Sequence, residues 1–228
     1  MNKETPSNTR LFLDRVVEIL SEKEDVNKNP EKLYLVNSFN VLSRLNDISN
    51  DLERCIIYME HLYNPDLYNK YSISPIDNLK YHTEVFIHKI TTIREIMLQA
   101  VNQIYELELN EIECTSWKII SKRMQNRSMK ILDIIDQYFN LFKTHIDLRN
   151  FNSHQSYDIL GFNPMLNIQF RLFYSGQLEN LDEKTKNEVG VLQTKTVKWT
   201  KYYKKFADQK IKVFFEESSA YILNKTQE

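Results

Sequence analysis

Arg149 and His154 flank four residues in the stretch "RNFNSH", and the pair is sufficient for one kind of chemistry. Histidine gives or takes a proton near neutral pH. Arginine stays charged and presents a planar fork of donors that matches phosphate oxygens. Together they suit cleavage of RNA without a metal. His154 would deprotonate the ribose 2′-hydroxyl or protonate the leaving oxygen, and Arg149 would stabilise the negative phosphate of the transition state. Asn150 is a supporting candidate, because its amide can orient either partner.

Geometry limits how this can work. Five residues apart on one unbroken helix, the two side chains would diverge by about 140°. A helix break is therefore required to bring them round to one point. Asn150, Asn152 and Ser153 are poor helix formers and good caps. The plain alternative is that Arg149 and His154 cap a helix end and hydrogen-bond loop carbonyls.

The spacing separates this pair from a chance twin. The chain holds 9 Arg, 22 Asn and 5 His in 228 residues. An Arg followed at four to six intervening residues by His is then expected about 0.6 times by chance. Arg54 and His61 supply such a match. The tighter form, with Asn after Arg and four residues between, is expected about 0.02 times. Arg54 and His61 lie seven apart on one face of a regular helix and read as structural.

Other chemistries find little. There is no dinucleotide glycine fingerprint, Walker loop or cysteine-pair zinc spacing. Ser153 beside His154 lacks the glycine context of a hydrolase elbow. The acidic string "ELELNEIE" (106–113) invites a carboxylate metal site, but a di-iron bundle needs inward Glu-x-x-His pairs. Glu84 and His88 are four apart and Glu60 and His61 adjacent, so the string reads as a solvated helix end. His145, one turn before Arg149, is a candidate second polar group of the site but reads rather as a satisfied core histidine, and Glu95 reads either as a partner for Arg149 or as an ordinary surface carboxylate. Neither a metal nor a cofactor is expected.

The elements that must position the motif are helices. Only three glycines occur, Gly161, Gly176 and Gly190, far fewer than the turns of an all-β chain would need. Residues ~10–24 form a short amphipathic helix with Leu13, Val16, Val17 and Leu20 inward. Pro30 fits a helix start, and Leu35, Phe39, Leu42, Leu45, Ile48, Leu52, Ile56, Met59 and Leu62 mark one stripe over 31–63. After a connector (64–78), Phe86, Ile90, Ile93, Met97, Val101, Ile104 and Leu107 mark a second. A third, capped by Thr115 or Ser116, runs from Trp117 through Ile120, Met124, Ile131, Ile134, Tyr138 and Leu141 to His145. The stretch "GFNPMLNIQFRLFYSGQLENLDEK" is irregular or holds a short helix. Val189, Leu192, Trp199, Tyr203, Phe206 and Phe214 mark a last long helix to about residue 224. Its aromatic stripe reads as core, with a partner surface as the alternative. The fold class expected is all-α, an antiparallel bundle of about five helices.

Two cysteines, Cys55 and Cys114, are too few for a disulfide framework and suit a reducing compartment. The first residues show no signal or transit character, and no apolar run approaches a membrane span. The expectation is a soluble, cytoplasmic chain without a membrane partner. Net charge is −1, against a broadly basic nucleic-acid surface. Local basic stretches, "KRMQNRSMK" (122–130) and "QTKTVKWTKYYKK" (193–205), read as solvated helix faces, with a specific nucleic-acid contact as the minor alternative.

The motif "LRNFNSH" resembles the signature of the HEPN superfamily: Arg, usually a polar Asn, Asp or His next, then His after four to six residues. The helix "EVFIHKITTIREIMLQAVN" (84–102) is similar to the long helix that precedes the motif helix in some bacterial groups of that family. The resemblance spans about residues 31–162. It implies a HEPN-like core (31–162), which the stripes extend by an N-terminal helix and linker (1–30) and by a connector with a long helix packed on the core (163–228). It also implies a homodimer, RNA as substrate, metal-independent endoribonuclease activity with Arg149 and His154 as the catalytic pair, and a toxin or defence role. An antitoxin or a nucleotidyltransferase partner would accompany that role. Many members carry Tyr two residues after the His; here Ser156 stands there and Tyr157 comes next, which puts regulation by nucleotidyl transfer in doubt. Other members are catalytically silent, so the rival expectation is a helical module that binds RNA, a nucleotide or a protein partner.

Overall fold

The computed structural model describes residues 7–22, 25–62, 68, 70–71, 73–152 and 164–227, without the side chains of 145, 146, 148–152 and 164. The chain is all-helical, a helical bundle. Among the described residues there are seven α-helices: α1 Asn8–Ser21, α2 Pro30–Glu60, α3 Pro75–Ile104, α4 Trp117–Met124, α5 Met129–Asn152, α6 Pro164–Tyr174 and α7 Glu183–Lys225. No helix among these residues is long and apolar enough to cross a membrane.

Seven helices, rather than about five, arise from two places: a break in one expected stripe, and a short helix in the stretch read as irregular or holding one. The stripe from Trp117 to His145 is broken after Met124. The N–H groups of Arg127 and Ser128 both turn back to Met124 O, at 2.9 and 3.3 Å. Arg127 then donates its guanidinium to Tyr105 O at 2.5 Å, which fixes the turn. Ser128 Oγ accepts from Ile131 N and starts α5. The second place is α6, where an apolar face (Leu166, Phe170) is buried. This helix ends in a Schellman arrangement: Gly176 has φ +74°, its N–H meets Phe173 O, and Gln177 N meets Leu172 O.

The stripes of α2 and α3 hold almost throughout. Leu35, Leu42, Leu45, Ile48, Leu52, Ile56 and Met59 are buried on α2, whereas Phe39 is only half-buried and Ser38 takes a fully buried place. On α3 every stripe residue from Phe86 to Ile104 is buried. The inward set of α1 is different from the expected one. Phe12, Val16 and Ile19 are buried, while Val17 and Leu20 are 65% and 56% exposed. The aromatic ring decides the rotation: Phe12 packs on Phe215, centroids 6.5 Å apart. Glu216 anchors the start of the same helix by accepting from Asn8 N and Thr9 N at 2.8 and 3.1 Å.

The chain packs into two compact units that do not respect chain order. One comprises Met1–Ile48, Thr92–Phe142 and Ala207–Glu228, the other Ser49–Thr91 and Lys143–Phe206. The first has Phe12, Leu42, Leu45, Met97, Tyr138, Phe142 and Phe214 in its interior. The second has Leu52, Met59, Tyr68, Leu79, Phe86, Leu166 and Phe170. The final helix does not bury its aromatics as a simple stripe. Trp199, Tyr203 and Phe206 are half-buried, and the fully buried positions around them are the small Thr196, Thr200 and Ala207.

Candidate functional site

Arg149 and Asn150 occupy the last turn of α5, which continues to Asn152. Their side chains are not among those described, and His154 lies outside the described residues altogether, as do Ser156 and Tyr157. The backbone of His145 lies on the same helix, one turn earlier.

Helix α6, the next described element after the motif, is held to the start of α3 by one carboxylate. Asp77 accepts from Arg171 through both oxygens, Nε at 3.0 Å and Nη2 at 2.8 Å, and from Asn167 Nδ2 at 3.0 Å. The same carboxylate accepts from Ser74 N at 3.1 Å, and Ser74 Oγ accepts from Asp77 N at 3.0 Å. This is a reciprocal capping box with Pro75 at the first helical position. With the Ser74 hydroxyl, which also donates to it at 3.0 Å, five charge-assisted hydrogen bonds converge on the Asp77 carboxylate, two of them the bidentate fork of an arginine.

Burial pushes the Asp77 carboxyl up, but the hydrogen bonds from Arg171, Asn167 and Ser74 outweigh it and hold it below the ordinary value. The sign of the linkage is then fixed. A depressed folded-state pKa adds stability that is present above the unfolded carboxyl value, about 3.9, and is lost as pH falls through the folded value. Asp77→Asn is expected to be less stable than the parent at pH 7, with the gap closing under acid. Urea midpoints measured from pH 7 down to 2.5 check this; a gap that stays constant or widens would reject it.

The chance twin is resolved differently. Arg54 lies within α2, exposed, and pairs with Asp51 at 3.1 Å. Asp51 is held more closely by Lys89, at 2.6 Å, and its carboxyl is lowered mainly by that hydrogen bond. His61 lies just past the end of α2, exposed, with its N–H on Ile57 O. Arg54 is thus committed to a carboxylate.

No family model, curated protein or solved structure matches the chain.

The acidic string after α3 is a helix end in a second Schellman arrangement. Glu106 N meets Gln103 O and Leu107 N meets Asn102 O, with Glu106 at φ 47°. Asn102 closes the loop by exchanging hydrogen bonds with the backbone of Leu109. Among the described residues no group of His, Cys, Asp and Glu is arranged to hold a metal ion. Both cysteines are buried and free, and burial pushes the Cys55 thiol up to about 11, so it stays protonated and inert at neutral pH.

Two features were not singled out from the sequence. One is the Asp77 junction, whose signal was the capping-box string "SPID" (74–77). The other is which lysines of the basic stretch 193–205 stay outward on α7, around Tyr202, which is 56% exposed.

Proposed function

We propose that the protein is a metal-independent endoribonuclease of HEPN type, acting as a homodimer in a toxin or defence role. His154 moves the proton and Arg149 stabilises the phosphate. The observation that carries this reading is the tight Arg-Asn-x3-His spacing at the end of a long helix in an all-helical chain, with Arg149 and Asn150 in the last turn of α5. A polar helix end is where two such side chains can be redirected toward one point. A homodimer supports the chemistry further, because cleavage wants both a proton acceptor and a proton donor, and a two-fold interface doubles the set.

Purified protein incubated with RNA in EDTA should cleave it, because the phosphate charge is met by Arg149 and backbone donors. Products should end in 2′,3′-cyclic phosphate or 3′-phosphate, since the 2′-hydroxyl is the nucleophile, and DNA should survive. Light scattering on the same sample should read twice the chain mass of 27.4 kDa. Activity lost in EDTA and restored by magnesium would reject the mechanism, and a strict monomer would reject the shared site.

A further inference from the structure

The outward face of α7 carries a charge that the composition of the chain hides. From Val189 to Ala207 the sequence contains no acidic residue, and residues 195–205 contain five lysines, in a chain whose net charge is −1. Two of the five are committed: Lys201 pairs with Glu60, and Lys204 pairs with Glu53 at 3.2 Å and is largely covered. Lys195, Lys198 and Lys205 are exposed and make no ion pair among the described residues. At 100° per residue these three and Tyr202 share an arc of about 80° and span about 15 Å along the axis. The opposite face, through Thr196, Thr200 and Ala207, is buried, so the arc is held facing outward.

Tyr202 stands within this arc, 56% exposed, with its ring buttressed edge-on by Tyr203 at 5.3 Å and Phe206 at 4.8 Å. An open groove of about 540 Å³, lined by Lys198, Lys201, Gln193, Thr194 and Val197 with Glu60 at one wall, shares Lys198 with this arc. Cations at helical spacing interleaved with a braced, exposed ring meet the two demands of an unpaired nucleic-acid strand: phosphates to neutralise and bases to stack on. An acidic peptide would use the lysines and leave the ring idle. A membrane surface would want the apolar face of the helix, and that face is already buried in the protein.

We propose that the face of α7 from Lys195 to Lys205 is an anchoring surface for single-stranded RNA, with Lys195, Lys198 and Lys205 on phosphates and Tyr202 stacked on a base. The choice of RNA rests on the ribonuclease reading. The surface delivers affinity and is separate in sequence from the cleavage motif, so binding and cleavage come apart experimentally.

The test uses the full chain carrying His154→Ala, so that the probe survives, and measures fluorescence anisotropy of a labelled unstructured 20-nucleotide RNA between 50 and 200 mM salt. In that background K195A/K198A/K205A should weaken binding at least about tenfold and reduce the salt slope by about 2, as expected for three lost phosphate contacts on a single strand. Tyr202→Ala should weaken binding by about 5- to 150-fold with the slope unchanged. All four positions are exposed and alanine favours helix, so circular dichroism should not move. Equal binding by the triple variant and its parent overturns the proposal, as does no RNA binding by the parent. A triple variant that weakens while Tyr202→Ala does nothing overturns the proposal as stated, because the ring then stacks on no base. Intact binding with no cleavage by the unmodified chain overturns the ribonuclease reading and leaves this surface standing.

Discussion

His154→Ala and Arg149→Ala are each expected to abolish RNA cleavage, and with it any growth toxicity on expression, while the helical content of the chain stays the same. His154 is the sole group in the motif able to move a proton near neutral pH, and loss of a positioned acid–base group costs about 10²–10⁴ in rate. In the proposed mechanism Arg149 would supply the fixed positive charge against the transition state, where loss of one such donor costs about 10²–10³. The controls are the chance twins. Arg54→Ala removes an exposed pair to Asp51, which Lys89 continues to hold, and His61→Ala trims an exposed residue past the end of α2. Both should retain most activity. Cleavage that survives in all four variants, or is lost equally in all four, sinks the motif reading. RNA binding without cleavage by the unmodified protein under every condition hands the function to the silent-module rival.

The long stripes of α2 and α3 were legible because each is a single apolar face with period 3.6 carried over many turns, and the fold class rests on them. The illegible features were local. The string "SPID" holds a complete start signal, Ser as cap, Pro at the first position and Asp three on, yet it lies well ahead of Phe86, where the apolar stripe of α3 begins. The break between α4 and α5 has no Pro or Gly. It is made by "QNRS", in which Arg127 reaches a carbonyl 22 residues away in sequence, a tertiary contact that no local pattern contains. The rotation of α1 turns on which of two overlapping apolar sets meets a ring, Phe12 with Phe215 from the far end of the chain.

The candidate site shows the same division. The helix that carries Arg149 and Asn150 could be read from its apolar stripe. The lysine face of α7 could not. A run of lysines on a helix is ordinarily a solvated face, and only the positions of Glu60 and Glu53 separate the two committed lysines from the three left outward. Similarly, burial by small residues at Thr196, Thr200 and Ala207 is invisible to a search for large apolar side chains, and it is this burial that turns Tyr202 out.

The largest stability effect is expected from Phe86→Ala. Phe86 is fully buried on α3, and its ring meets Trp199 of α7 with centroids 5.9 Å apart. Trp199 in turn meets Tyr203 edge-on at 5.1 Å, so the aromatic row that seats α7 rests on Phe86. Removing a buried Phe side chain costs about 3–5 kcal/mol, the lost transfer energy plus the cavity left behind. Against a total of about 5–15 kcal/mol this is a large fraction. At about 2–4 °C per kcal/mol for a chain of this size, the melting midpoint should fall by about 6–20 °C. Tyr81→Ala on the same helix is the control: its side chain is 61% exposed, and its midpoint should move little. The seat of α7 gives a second readout that a general loss of stability would not mimic. Amide exchange should quicken around Thr196–Tyr203 in Phe86→Ala under conditions where the protein remains folded. A midpoint within about 2 °C of the parent, or exchange unchanged across that segment, would show that Trp199 is seated by something other than Phe86.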